Sequence, residues 1–330
     1  RMRLCMPRSI LILIYLAVLA VSAVTGAAIF VGDRLSQPVR RSVGVVPPDL
    51  PVESITLLSP PNRVNASTGH VSGWLARGTP GMGVVLLLHG VRSDRRQMLG
   101  RARFLFQSGY SVMLIDLPAH GESSGDRITV GYREAEGVSA AVHYLAELFP
   151  GEAIAVIGVS LGAAAFMLSQ VSPAPHAVVL ESMYPTIENA IDQRLQQRLG
   201  PLGRLLTPLF LWQFPIRWGI SPEQLRPIAE LPALHSPVLI MSGAEDRHTP
   251  ISETLRLFAA ANQPKELSIV AGAAHVDLHA FDPKGYESRV SVFLHKYLRN
   301  GNCTVKQLDT DQFTQTCPNQ RVVGQDKATQ

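Results

Sequence analysis

Residues 153–170 read Ala-Ile-Ala-Val-Ile-Gly-Val-Ser-Leu-Gly-Ala-Ala-Ala-Phe-Met-Leu-Ser-Gln. The first five, Ala153–Ile157, are apolar without a break, as in a strand buried on both faces of a parallel sheet. Leu161–Gln170 has the composition of a helix. Between them, Gly158-Val-Ser160-Leu-Gly162 has the G-x-S-x-G spacing, whose chemistry requires a strand before it and a helix after it. Gly158 and Gly162 remove side chains where so sharp a turn packs closely. Ser160 is thereby lifted above the sheet at the N-terminus of a helix, with the backbone N–H of Leu161 aimed at a developing oxyanion. A five-residue match alone arises often by chance. The strand and helix around it favour a nucleophile over a glycine-flanked serine that caps a helix.

The same alternation runs outward in both directions. Ser54–Leu58, His70–Ala76, Val84–Leu88, Ser111–Ile115, Ala177–Leu180, Val238–Met241 and Glu266–Val270 read as strands. Arg95–Gln107, Gly131–Leu148 and Tyr286–Leu298 read as helices. Strands alternating with helices predict an α/β fold with a doubly wound, mostly parallel sheet over residues 53–298. Residues 183–236 break the rhythm. They are rich in Leu, Pro, Trp and Arg, with Trp212, Phe214 and Trp218 close together, and read as a helical cap insertion over the C-terminal edge of the sheet. The tail, 299–330, is polar and shows no periodicity, so a loose tail is expected.

A serine hydroxyl is a weak nucleophile. It needs a general base within hydrogen-bond reach and an acid that fixes the base's tautomer and stabilises its cation. After a G-x-S-x-G turn the chain order is serine, acid, histidine. The strand ending at Met241 runs into Ser-Gly-Ala-Glu-Asp246-Arg-His-Thr-Pro, which places Asp246 on a loop at the site edge of the sheet. Glu245 beside it and Glu181 are the alternative acids. The next strand ends in Ala-Gly-Ala-Ala-His275, and the small residues leave room for the ring to reach Ser160. His248 and His279 are the other downstream candidates. His89-Gly90 ends the Val84–Leu88 strand. The loop there makes Val91 the second oxyanion donor beside Leu161, with Gly90 allowing close approach and His89 bracing the loop. In Asp116-Leu-Pro-Ala-His120-Gly-Glu-Ser, Asp116 and His120 are expected to hold a turn through side-chain to backbone bonds.

Ile10–Val31 carries no charge over about 22 residues, enough to cross a hydrocarbon core of about 30 Å. Arg1, Arg3 and Arg8 precede it; Asp33, Arg34, Arg40 and Arg41 follow it. Two readings compete. The small residues from Ala23 to Ala28 leave open a cleavable signal peptide, whereas the length fits an uncleaved anchor better. The expectation is a single-pass membrane helix (1–33) with an extracytoplasmic catalytic domain. Pro38, Pro47, Pro48 and Pro51 mark residues 34–52 as a linker, and the anchor is expected to lie outside the sheet domain.

Composition excludes several classes. Hydrophobic residues make up 46% and charged residues 17%, so a large core is available and disorder is excluded. The net charge of +4 is thinly spread, with no basic block, which argues against a nucleic-acid partner. Cys5, Cys303 and Cys317 lack metal-ligand spacing, so no metal is expected, and no cofactor motif is present. Cys303 and Cys317 suit either a disulfide or two free thiols in the tail.

Taken together, HG, DLPAHGES, GVSLG, GAEDRHTP and GAAH resemble the α/β-hydrolase superfamily over about residues 53–298. The likeness is greatest to membrane-anchored hydrolases of the serine aminopeptidase and lysophospholipase group. That resemblance implies Ser160 as nucleophile, Asp246 as acid, His275 as base, and Val91 and Leu161 as oxyanion donors. The expected activity is hydrolysis of an ester, thioester or amide through an acyl-enzyme, as in a carboxylesterase or lipase, on a small or lipid-like acyl substrate. A peptidase of the serine aminopeptidase type and a catalytically silent binding protein on the same fold are the alternatives.

Overall fold

The apolar run Val84–Leu88 is buried along its whole length and lies near the middle of an eight-stranded sheet. The structure is a computed structural model that describes residues 7–59, 69–298, 304–308 and 312–316. Helix α1 (Arg8–Ser36) comes first, followed by β1 (Val39–Arg40), β2 (Val52–Ser59), β3 (Gly69–Ala76) and β4 (Val84–Leu88). Then come α2 (Leu99–Gln107), β5 (Ser111–Ile115), β6 (His120–Gly121), α3 (Glu134–Leu148), β7 (Ile154–Val159), α4 (Leu161–Ser169) and β8 (Ala177–Glu181). The cap contains α5 (Ile187–Leu199), α6 (Thr207–Leu211) and α7 (Pro227–Glu230). The sheet resumes with β9 (Val238–Gly243), α8 (Ile251–Ala260), β10 (Lys265–Val270), α9 (Leu278–Phe281) and α10 (Pro283–Leu298). A hairpin of β11 (Thr304–Leu308) and β12 (Gln312–Thr316) follows, where the sequence had suggested no regular element. All three cysteines lie outside the described residues, and with them the expected choice between disulfide and free thiols.

The strand order is β10-β9-β8-β7-β4-β5-β3-β2. The sheet is parallel except at one edge, where β3 runs antiparallel to both β2 and β5. Strand β4 has β5 on one side and β7 on the other. The chain therefore switches direction across the sheet at β4, and a crevice opens at the carboxyl ends of β4 and β7. Burial on both faces explains the unbroken apolar runs. Val84, Leu86 and Leu88 pack with Val138 of α3 and Ala163 of α4. Val85 and Leu87 face the other way, towards Met98, Ala102 and Phe293.

Prolines divide the cap. Pro201, Pro208, Pro215, Pro222, Pro227 and Pro232 each stand at the start of a short helical turn. Lacking an N–H and fixed in φ, proline begins a turn of helix easily and cannot continue one.

The segment 34–52 is bound to the domain along much of its length. Val39 pairs with His120 and Arg40 with Gly121 in a short parallel ladder. The Val39 amide donates to the Ala119 carbonyl (2.8 Å) and the Arg41 amide to that of Gly121 (2.9 Å). The Val43 amide reaches Glu122 Oε1 (3.1 Å), and Leu50 is buried. Helix α1 presents a single buried stripe, Ala28, Gly32 and Ser36, at a spacing of four residues. The apolar residues from Ile10 to Val24 are exposed, and the helix is long and apolar enough to cross a membrane.

Candidate active site

Strand β7 delivers Ser160 into a backbone that few residues adopt. Its φ is 49° and its ψ −104°, and α4 begins at the next residue. Such a conformation persists only where the surroundings impose it. The Ser160 amide donates to the Glu181 carbonyl at 2.8 Å, and its own carbonyl accepts from Ala164 at 3.0 Å. The two flanking glycines are required by space. A Cβ at Gly158 would stand 2.6 Å from the Ala163 nitrogen, and one at Gly162 2.5 Å from the Leu88 carbonyl oxygen.

The acid and base candidates meet at the ends of β9 and β10. His275 Nδ1 lies 2.7 Å from Asp246 Oδ2, so the carboxylate accepts an Nδ1–H and leaves Nε2 available. Asp246 Oδ1 accepts from the amides of His248 and Thr249, both at 2.8 Å, and Oδ2 from the Thr249 hydroxyl at 2.7 Å. Burial opposes ionisation of Asp246. The bonds and positive charge of His275, with the two bonds from Thr249, outweigh it and hold the carboxyl below its usual range. Glu245 is exposed to solvent. Glu181 is bound in a buried cluster, accepting from Arg101 (2.6 Å) and the Tyr286 hydroxyl. His279 is paired with Glu287 at 3.0 Å. His248 sits edge-on to His275, with ring centroids 5.0 Å apart, and burial, then Arg194, pushes its imidazole below the ordinary value. Ser160, Asp246 and His275 thus follow strands β7, β9 and β10 at one edge of the sheet.

Hydrogen bonds made by His89 and Gln97 brace the loop after β4. His89 is completely buried. Its Nε2 accepts from the Leu117 amide (3.0 Å), and its Nδ1 lies 2.7 Å from the Gly90 carbonyl. Burial, with His120 alongside, pushes this imidazole down to about 3, so it is neutral at physiological pH. The Gly90 amide donates to Gln97 Oε1 at 2.8 Å. Asp116 accepts from the amides of Arg95 (2.7 Å) and Glu122 (2.8 Å), and His120 Nε2 from the Arg92 amide (3.1 Å). Both residues hold the turn.

Above Ser160 lies a cavity of about 240 Å³. Val91 and Leu161 line it beside Ser160, and the cap supplies Phe210, Phe214 and Trp218. Phe214 and Trp218 meet edge to face at 4.6 Å. Trp212, the third aromatic residue of the expected patch, does not line the cavity and is 48% exposed. Two arginines, Arg92 and Arg194, line the cavity, and no carboxylate does. Among the described residues no cluster of His, Cys, Asp and Glu could hold a metal ion.

Sequence reasoning missed two features of the site. Thr249 doubly anchors Asp246, and its position three residues after an aspartate is a known local capping pattern. The last turn of α1 also reaches the cavity, through Gly32, Leu35 and Ser36. The spacing of small residues at 28, 32 and 36 was the available signal, since such stripes let a neighbour approach a helix closely.

Comparison with known proteins places the chain. It is 28% identical over 257 residues to the uncharacterized protein Rv2307c of Mycobacterium tuberculosis, covering 74% of this chain and 83% of that one. It is 22% identical over 214 residues to the uncharacterized protein YqkD of Bacillus subtilis, covering 64% and 70%. Among solved structures, the Pyrococcus furiosus esterase Pf2001 shares 24% identity with a TM-score of 0.64, over 80% of this chain and 98% of that one. A bromoperoxidase from Bacillus anthracis shares 17% identity with a TM-score of 0.53, over 73% and 99%. These structural likenesses speak to the fold. The sequence model of the alpha/beta hydrolase family matches residues 85–289, more than half of the chain, and the chain belongs to that family.

Proposed function

We propose that the protein is a serine hydrolase that cleaves an ester bond by forming an acyl-enzyme at Ser160. The same fold carries both esterase and bromoperoxidase chemistry, so the reaction is argued from the residues. The observation that carries it is the Asp246–His275 pair at 2.7 Å, at the same sheet edge as a serine held at φ 49° beneath an apolar cavity. His275 Nε2 takes the proton of Ser160 Oγ as the oxygen attacks the acyl carbon. The N–H groups of Val91 and Leu161 stabilise the oxyanion. The leaving alcohol departs with the proton from His275. Water then repeats the sequence, regenerating Ser160 and releasing the acid. Asp246 keeps the Nδ1–H tautomer of His275 and stabilises its cation without itself taking a proton.

The cavity favours an acyl ester over a peptide with a free amino terminus. An α-ammonium group would find two arginines in the lining and no counter-charge. Aromatic and aliphatic walls with few polar groups suit an acyl chain. Helix α1 is read as a single membrane span, with the catalytic domain on the extracytoplasmic side.

A fluorophosphonate probe should label wild-type Ser160, and Ser160→Ala should lower ester hydrolysis by on the order of 10⁴ or more with the fold intact. Hydrolysis by the variant near the wild-type rate would end this reading.

A further inference from the structure

The cap grips α1 at its domain-proximal end. Gln213 Nε2 donates to the Ala28 carbonyl at 3.0 Å, and Arg217 Nη1 to that of Ile29 at 3.3 Å. Arg217 also pairs with Asp33 at 2.7 Å. Gln213 is buried, and its Oε1 accepts from Arg217 at 2.9 Å. Gly32 is the point of closest approach: a Cβ there would stand 2.5 Å from Gln213 Oε1. From the other side, the Ile128 amide donates to the Ser36 carbonyl at 2.8 Å and Arg92 Nη1 to that of Arg34 at 3.4 Å. The end of α1 is thus clamped between the cap and the loops of the sheet edge.

What it is clamped over is the cavity of Ser160. Gly32, Leu35 and Ser36 form part of its wall, together with residues such as Val91 from the sheet edge and Ile191 from the cap. The uncharged run of α1 ends at Val31, and Leu35 is four residues further on, about 6 Å along the axis. If the run spans a bilayer, the acyl cavity stands about one helical turn from its surface. The cap segments that hold α1 also expose Leu205, Trp212 and Ile216, side chains suited to the same boundary.

From this we infer that the last turn of α1 is a specificity-determining wall of the acyl site, and that the substrate is an amphiphilic ester drawn from the bilayer along that helix. The inference rests on the serine-hydrolase reading and deepens it. A helix that only tethered would need no contact with the site. Here the tether's end occupies space that a long acyl chain must pass or touch, so chain-length preference depends on it. Leu35 is the residue to change, since it is 56% exposed and its loss leaves no hole in the core.

The full chain, reconstituted in phosphatidylcholine vesicles, is assayed with 4-nitrophenyl acetate and 4-nitrophenyl dodecanoate. Leu35→Ala removes part of the wall and Leu35→Trp crowds it. In both, the dodecanoate-to-acetate ratio of kcat/KM should fall fivefold or more. In the wild type, dodecanoate turnover should follow the ester's mole fraction in the vesicle, not its bulk concentration. Ratios within twofold of wild type in both variants, with Ser160 still labelled by fluorophosphonate, overturn the wall. Turnover that follows bulk concentration overturns the bilayer route. A wild-type chain that does not label at Ser160 overturns the hydrolase reading, and this inference with it.

Discussion

The cavity over Ser160 has a floor and a roof of different origin. The floor is the carboxyl edge of the sheet, where each proposed catalytic group follows its own strand: Ser160 after β7, Asp246 after β9, His275 after β10. Short local rules suffice there, because strand, glycine turn and helix fix a side chain within a few residues of sequence. The roof is assembled from segments that contact one another across about half the chain, such as Gln213 with Ala28 and Arg217 with Asp33. The proposed chemistry sits on the locally determined surface, and its proposed specificity on the surface that only the tertiary fold brings together. Loops of α/β proteins vary more freely than their sheets for the same reason.

The sharpest way to break that contrast is at the floor. Asp246→Asn should reduce kcat by on the order of 10³–10⁴, because the amide favours the wrong His275 tautomer. Glu245→Gln, at an exposed position next door, should stay within about threefold of wild type. Ester hydrolysis measured on the two variants side by side decides the matter. Reversed effects would move the acid to Glu245 and leave the Asp246–His275 bond without a catalytic part.

How much was legible follows the same division. The strand positions, the glycine elbow and the Asp246–His275 pairing are local or ordered along the chain, and they could be read directly. The antiparallel edge β2–β3 could not, because an apolar strand carries no mark of its neighbour's direction. Residues 34–52 looked like a linker for their prolines, yet Val39 and Arg40 add a short ladder beside β6. A proline-rich stretch is extended, and extended backbone can pair wherever its donors find acceptors. The reach of α1 into the site was hidden by its composition. A helix that is apolar on every face reads as membrane, and only the small residues at 28, 32 and 36 mark which side meets protein.

A second test concerns the bracing beneath the floor. Folded His89 stays neutral down to about pH 3, whereas an unfolded histidine takes up a proton near 6.5. Between those values the unfolded state binds more protons, so stability falls as pH falls through the window. This site alone should remove on the order of 2 kcal/mol between pH 7 and pH 5. His89→Gln retains a donor and an acceptor but no titration, so its thermal unfolding should be less sensitive to acid. Parallel pH dependences in the two proteins would mean that the buried imidazole is not what acid attacks.

The smallest effect lies in the roof and separates two aromatic residues that look alike in sequence. Phe214 is buried and lines the cavity, whereas Trp212, two residues earlier, is 48% exposed and does not. Phe214→Leu keeps the site apolar but withdraws ring surface from any chain lying against it. Each methylene that loses its contact is worth about 0.8 kcal/mol, or roughly a fourfold change in affinity. The preference for dodecanoate over acetate esters should therefore fall about fourfold in Phe214→Leu, chiefly through KM. Trp212→Ala should leave that preference within about twofold, since no part of the chain reaches it. Steady-state kinetics across a series of acyl lengths would show the difference as a change in slope. Equal slopes in wild type and Phe214→Leu would place the acyl chain elsewhere than under the cap. A flattened slope in Trp212→Ala instead would mean that substrate meets the outer face of the cap before it reaches Ser160.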